Sequence, residues 1–220
     1  MVFGAVSIPG GQSGAVSAKG LSQWYDRTGI YPVSAGRTWY GRIFHCTVCA
    51  GMIKEMLKTD IKSLTIEELQ KELQGMGEKP FRGAQIYEWL HGKLVRTFEE
   101  MSNLPKNLRR RLEERFLLVA LEPVQVLESR LDGTRKYLFR LWDGHVIESV
   151  FMRYHHGNSL CISSQVGCRM GCRFCASTLD GLARSLLPSE MLDQVYAASR
   201  HTGERISNVV VMGTGEPLDN

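Results

Sequence analysis

From Met52 onward the apolar positions recur with a helical period and then with a strand period. Ile66, Leu69, Leu73 and Met76 fall three or four residues apart and predict a helix with one buried stripe. Thr65-Ile-Glu-Glu68 reads as its capping box and Gly77 as its stop. A second helix is predicted from Arg82 to Leu94, burying Ile86, Trp89 and Leu90. A third is predicted from Pro105 to Phe116, with Leu108 and Leu112 inside. The pattern then changes to β-rich runs, Val124 to Arg130, Thr134 to Leu141 and His145 to Met152. Asp132-Gly133 and Asp143-Gly144 separate them, the turn chemistry of a β-meander. Ser159 to Gln165 reads as a further strand and Ser189 to His201 as a helix, with Leu192 and Val195 inside. Pro188 stands near the start of that helix and Gly203 past its end. Ile206 to Met212 has the length and composition of a buried parallel strand. The last three elements make a βα unit in an α/β protein.

Residues 1–51 show no such period. They hold nine of the 22 glycines, no glutamate and five charged residues (Lys19, Asp26, Arg27, Arg37, Arg42). They are expected to be a leader, disordered or lying upstream of a start codon at Met52 or Met56, with Cys46 and Cys49 a chance pair. The whole chain of 220 residues is 43% apolar and 23% charged, which excludes a collagen-like, low-complexity or wholly disordered polymer. Its apolar runs are too short to span a bilayer, and Met1 to Gly20 does not resemble an export signal. The 27 basic and 23 acidic residues give a formal charge of +4. Residues 1–51 contribute four of the basic and one of the acidic residues, leaving 23 and 22 for residues 52–220. The mild basicity therefore says little about nucleic acid. Arg109-Arg110-Arg111 is read as a solvated face balanced by Glu113 and Glu114 rather than as a phosphate contact.

The chemistry concentrates in Cys161-Ile-Ser-Ser-Gln-Val-Gly-Cys168-Arg-Met-Gly-Cys172-Arg-Phe-Cys175. Cys168, Cys172 and Cys175, on a loop with Gly167 and Gly171, suit one soft metal centre. Zinc would call for a fourth nearby ligand. Cys161 lies seven residues before Cys168, within a strand. Three ligands alone point to a [4Fe–4S] cluster with one iron open. The second strand stops at Gly213-Thr-Gly-Glu-Pro217, so both loops lie where parallel strands end and ligands gather. The glycines there are expected to let a ligand approach the backbone, and Glu216 to accept hydrogen bonds from an ammonium group. Glu148 shares a strand face with Val146, Val150 and Met152, which by spacing alone favours an edge strand reaching water.

These residues resemble the radical S-adenosylmethionine superfamily, whose C-x3-C-x-aromatic-C signature is met by Cys168, Cys172, Phe174 and Cys175. Over about residues 56–220 the chain is more closely similar to the RlmN/Cfr group of RNA adenine methyltransferases. The similarity is carried by Cys161 to Cys168, Val211 to Leu218, Leu64 to Leu69, Lys79 to Arg82, Gln85 to Leu90 and Met101 to Pro105. The resemblance implies an α/β fold: a helical accessory domain (52–120), a β-meander (121–153) and the first units of a partial (βα)6 barrel (154–220). It implies a [4Fe–4S] cluster on Cys168, Cys172 and Cys175, and S-adenosylmethionine held at its methionine end by Gly215 and Glu216.

Adenine C2 is a poor nucleophile, so the group first methylates a late cysteine, converts it to a radical and adds that to the ring. Cys161 matches the cysteine that releases the protein–RNA adduct through a disulfide, and Glu148 the acid/base position. That implication replaces the edge reading of Glu148. Gly-Glu-Pro favours the C2-methylating RlmN type over the C8-methylating Cfr type. Implied partners are 23S rRNA, tRNA and an electron donor such as flavodoxin or ferredoxin, for a cytoplasmic monomer away from membranes. No cysteine follows Cys175. The methyl-carrying cysteine is therefore missing, and the chain is expected to be an inactive front part of a larger enzyme.

Overall fold

The structure, a computed structural model, describes residues 58–220. The expectations for the leader, the Cys46–Cys49 pair and the start codon lie outside the described residues.

Strand β1 (Thr59–Asp60) leads into a 3-10 turn (Ile61–Ser63) and helix α1 (Ile66–Gly75). The capping box forms as expected: Thr65 N–H donates to Glu68 Oε2 at 2.9 Å, and Glu68 N–H to Thr65 Oγ1 at 3.2 Å. Helix α2 (Phe81–Tyr87) is shorter than its predicted span, because the chain widens into a π turn (Glu88–Gly92). A 3-10 turn (Phe98–Glu100), helix α3 (Lys106–Arg115) and strand β2 (Phe116–Leu117) follow, with β2 pairing parallel to β1. Leu69, Leu73, Ile86, Leu90, Leu108 and Leu112 close one core. Trp89 is only partly buried, since its ring N–H needs a partner. It donates to Asn103 Oδ1 at 2.5 Å, while Lys93 Nζ stands 3.5 Å from the ring centroid. The arginine run is consumed within the chain. Arg109 donates to the Glu99 carbonyl, Arg110 lies 3.7 Å from Glu114, and Arg111 pairs with Glu78 at 2.7 Å.

The second core belongs to a five-stranded sheet. Strands β3 (Pro123–Glu128), β4 (Arg135–Arg140), β5 (Val146–Tyr154) and β6 (Gly157–Cys161) run antiparallel in sequence order, forming the expected meander. Strand β7 (Gln165–Gly167) leaves this sheet and pairs with β8 (Leu182–Ser185). The single strand predicted from Ser159 to Gln165 is therefore two strands, broken at Ile162–Ser164. Helix α4 (Pro188–Thr202) then crosses over to β9 (Ile206–Val210), which lies parallel to β6. Among the described residues no helix is long and apolar enough to cross a membrane.

Two expectations for this βα unit fail. Strand β9 is mostly exposed rather than buried, with Val209 at 46% and Val210 at 38%, because it is the last strand of the sheet. Helix α4 turns a different face inward: Leu192 is exposed, whereas Glu190, Asp193, Gln194, Ala197 and Ala198 are buried. Polar groups occupy that face because each has a partner across the interface.

The main partner joins the two cores. Lys62, in the 3-10 turn before α1, is buried with its Nζ 2.7 Å from Asp193 Oδ1, and it also donates to the Val119 carbonyl. Asp193 accepts from Leu121 N–H as well, and Arg200 lies 3.8 Å away. Such a pair contributes little net energy when intact, yet losing one partner strands a buried charge. Asp193→Ala should cost about 3–5 kcal/mol in urea unfolding. Lys62→Met/Asp193→Leu should recover part of that loss, and Glu72→Ala, which breaks the exposed pair with Arg115, should change little.

Candidate active site

Strand β6 stops pairing as a regular strand at Cys161, but its next residues are not free. Ile162 N–H donates to the Val210 carbonyl at 2.9 Å, and Gly213 N–H donates back to the Ile162 carbonyl at 3.0 Å. Ser164 and Gln165 N–H both donate to the Thr214 carbonyl, at 2.9 and 3.2 Å. Thr214 N–H donates to Ser163 Oγ at 3.1 Å. The Gly-Thr-Gly-Glu turn is thereby laced onto the four residues that precede the cysteine hairpin. The glycines allow this close approach of backbone to backbone. Gly215 has φ +106°, and a Cβ there would lie 2.6 Å from Gln165 Cβ and 2.8 Å from Ser164 Oγ.

Residues 168–181, which carry the three cysteines, connect β7 to β8. Gly167, at φ +74°, brings the two strands so close that a Cβ would meet the Gly181 carbonyl oxygen at 1.9 Å. Cys168 N–H donates to that same carbonyl at 3.0 Å, and Cys175 N–H to the Cys172 carbonyl at 3.1 Å. Cys168 is buried, Cys175 half-buried and Cys172 exposed; all are free thiols. They have not converged: among the described residues no group of three or more Cys, His, Asp or Glu is placed to hold a metal. The donor set still fits a soft cluster, being three thiols on one short loop.

The hairpin is anchored from outside by Arg184 on β8. Its guanidinium binds Glu190 twice, at 2.7 and 2.8 Å, and Asp143 of the β4–β5 turn at 2.5 Å. Hydrogen bonding to Glu190 outweighs the opposing effect of burial and pushes the Arg184 pKa up. Gln194 of α4 anchors it from beneath. Its Oε1 accepts from Ser163 N–H at 2.9 Å and Ser149 Oγ at 2.8 Å, and its Nε2 donates to the Ser163 carbonyl at 3.0 Å. Glu190, Asp193 and Gln194, three and four residues apart, put polar groups on one helical face, the signal that could have marked it. Gln165 lies inside the Cys161 to Cys168 segment that carries the resemblance, but no spacing of its own marks its role.

Glu148 and Cys161 lie together on the open face of the sheet. Cys161 is directly opposite Val150, and Glu148 is two residues along from Val150 on the same side of β5. The opposite side of β5, with Ile147 and Phe151, is buried in the core beneath α4. β5 is the central strand of five, which overturns the edge reading of Glu148. Lys136, two residues from Leu138 on β4, reaches Glu148 Oε2 at 2.6 Å. Burial pushes the Cys161 thiol up, and a hydrogen bond from the Met212 backbone works the other way.

Comparison with known proteins shows what the chain is similar to. Residues 59–118 match the family described as ribosomal RNA large subunit methyltransferase N-terminal domain. The protein named probable dual-specificity RNA methyltransferase RlmN from Lachnoclostridium phytofermentans is 64% identical over 163 residues, 74% of this chain and 46% of the relative. Its namesake from Clostridioides difficile is 51% identical over 166 residues, 76% of this chain and 48% of the relative. The chain spans about half the length of the curated relatives it matches. A crystal structure of a radical SAM methyltransferase from Sphaerobacter thermophilus superposes with a TM-score of 0.68 at 41% identity, over 74% of this chain and 48% of that one.

Two measurements check the geometry. Gly167→Ala should cost more than about 2 kcal/mol in urea unfolding, because the new methyl strikes backbone as well as straining φ. Gly144→Ala, at φ +85° with open space around it, should cost only about 1–2 kcal/mol. Among the four cysteines of the described residues, in metal-free protein near pH 8, iodoacetamide should modify Cys172 first and Cys161 much later, the raised Cys161 pKa leaving less thiolate. Residues 59–118 thus carry the N-terminal domain of that methyltransferase family, and about three quarters of the chain is similar to proteins named RlmN and to a radical SAM methyltransferase of known structure.

Proposed function

We propose that this chain is the cluster-bearing part of a radical S-adenosylmethionine methyltransferase acting on C2 of adenine in 23S rRNA and tRNA. The observation that carries the reading is the hydrogen-bonded union of the cysteine hairpin with the Gly-Glu turn. That union, made through residues 162–165, supports reading the three thiols and the turn as parts of one site. Cys168, Cys172 and Cys175 would hold a [4Fe–4S] cluster, and Gly215 with Glu216 the methionyl end of the cofactor. When bound, cluster and cofactor supply a 5′-deoxyadenosyl radical by reductive cleavage, chemistry that side chains do not provide.

The chain's own residues bind and orient. Glu148, on the open face with Lys136 against its carboxylate, is the group that takes or returns a proton. Cys161, on that same face, is the thiol offered to the reaction. The proposed organisation is a helical accessory domain over residues 52–120, a meander over 121–153 and the first units of a partial (βα)6 barrel over 154–220, after a non-family leader over 1–51. The proposed partners are the two RNAs and a flavodoxin- or ferredoxin-like electron donor, for a monomer in the cytoplasm. The arginine run gives no support to a phosphate contact, because Arg109 and Arg111 are engaged within the chain and Arg110 faces Glu114.

Anaerobic reconstitution with iron and sulfide should give a brown protein with about four irons per chain. Cys168→Ala, Cys172→Ala and Cys175→Ala should each lose most of the iron, whereas Cys161→Ala keeps it. Stoichiometric zinc in a colourless protein, or equal loss in Cys161→Ala, would contradict the ligand assignment.

A further inference from the structure

We propose that Gln165 is a positioning residue: it fixes the Gly215–Glu216 turn against the cysteine hairpin and so sets where the cofactor's amino and carboxylate groups are received. The inference rests on the cofactor reading above and adds to it a residue other than the three cluster cysteines, Gly215 and Glu216. Gln165 is fully buried at the first position of β7, three residues before Cys168. Its Oε1 accepts from Glu216 N–H at 3.0 Å. Its Nε2 donates to Asp219 Oδ2 at 3.2 Å and lies 3.5 Å from Ser185 Oγ on β8. The side chain thus touches the turn, the segment after the turn and the far strand of the hairpin.

The chain of contacts continues back to the cysteines. Asp219 also accepts from Arg169, the residue after Cys168. Arg169 first, and Gln165 second, hold the Asp219 carboxyl below the usual carboxylate range. Around the loop the order is Cys168, Arg169, Asp219, Gln165, Glu216. Backbone hydrogen bonds to Thr214 already bring the turn close, but they do not hold Glu216 itself. Gln165 supplies the bond at the Glu216 amide, and its Cβ fills the space where Gly215 lacks one.

The chemistry of the position is specific. A neutral primary amide accepts on one side and donates on the other. Leucine keeps most of the volume and loses both bonds. Glutamate keeps the acceptor toward Glu216 N–H but turns a second negative charge toward Asp219. Pairing that glutamate with Asp219→Asn restores a donor opposite it, with the direction of the bond reversed.

The test uses the full chain, reconstituted anaerobically with iron and sulfide, as wild type, Gln165→Leu, Gln165→Glu and Gln165→Glu/Asp219→Asn. Backbone hydrogen exchange over residues 213–218 and equilibrium dialysis with radiolabelled S-adenosylmethionine are read in parallel, with iron content as control. In Gln165→Leu and Gln165→Glu, exchange in 213–218 should quicken about tenfold, the scale of one or two lost buried hydrogen bonds. Protection of α1 and α3 should not change, and cofactor affinity should fall by a similar factor at unchanged iron content. The double variant should return both readings to within about threefold of wild type.

Unchanged exchange in Gln165→Glu overturns the inference, as does a double variant no better than the single one. Should Gln165→Leu fail to fold, the glutamate pair carries the comparison. If wild type takes up iron but binds no cofactor, the cofactor reading fails, and the exchange measurement still decides whether Gln165 holds the turn.

Discussion

Residues 162–165 carry two obligations at once, and the site depends on meeting both. They must satisfy their backbone groups on the Gly213–Glu216 turn, and they must redirect the chain out of the main sheet into the cysteine hairpin. A regular strand would meet the first and forbid the second. The chain resolves the conflict by ending regular pairing at Cys161 and replacing ladder bonds with mixed ones, backbone to Thr214 and Ser163 side chain to Thr214 N–H. Gln194 then satisfies both backbone groups of Ser163 from below. The Ser163 and Gln194 atoms so used are buried and those of the turn partly buried, so an unpaired one would be costly.

This arrangement explains why α4 has a polar buried face. The helix is the floor of the hairpin as well as a crossover between parallel strands. Glu190 receives Arg184 from β8, Gln194 receives Ser163, and Asp193 receives Lys62 from the helical segment. One helix therefore links three parts of the molecule through groups that are specific in direction and partner. Apolar side chains at the same places would bury area without fixing register. Hydrogen bonding of this kind trades some net stability for a defined alignment.

Much of the fold was legible in the sequence because local rules were obeyed. The Thr65–Glu68 box, the apolar stripe of α1 and the two Asp-Gly turns each stand where period and turn chemistry put them. Even the Lys136–Glu148 pair follows from the Asp143-Gly144 turn, which sets Leu138 opposite Glu148 and leaves Lys136 two residues away on the same face. What escaped was decided by tertiary partners. Val195 packs against the core as its spacing predicts, but Leu192 looks like a core residue of α4 until Lys62 and Ser163 are known to face its other side. Ser159 to Gln165 reads as one strand, since nothing local shows that Gly167 must meet Gly181. The exposure of β9 depends on its place at the end of the sheet, which no property of its own residues dictates.

The central claim is that three thiols and the Gly-Glu turn form one cofactor site. It is tested most directly by electron paramagnetic resonance of the reconstituted, dithionite-reduced chain with and without S-adenosylmethionine. The account predicts a reduced [4Fe–4S] signal whose g-values shift when the cofactor is added, because the open iron gains amino and carboxylate ligands. A cluster signal that is indifferent to saturating cofactor, or a protein that takes up zinc and shows no cluster signal, would contradict it.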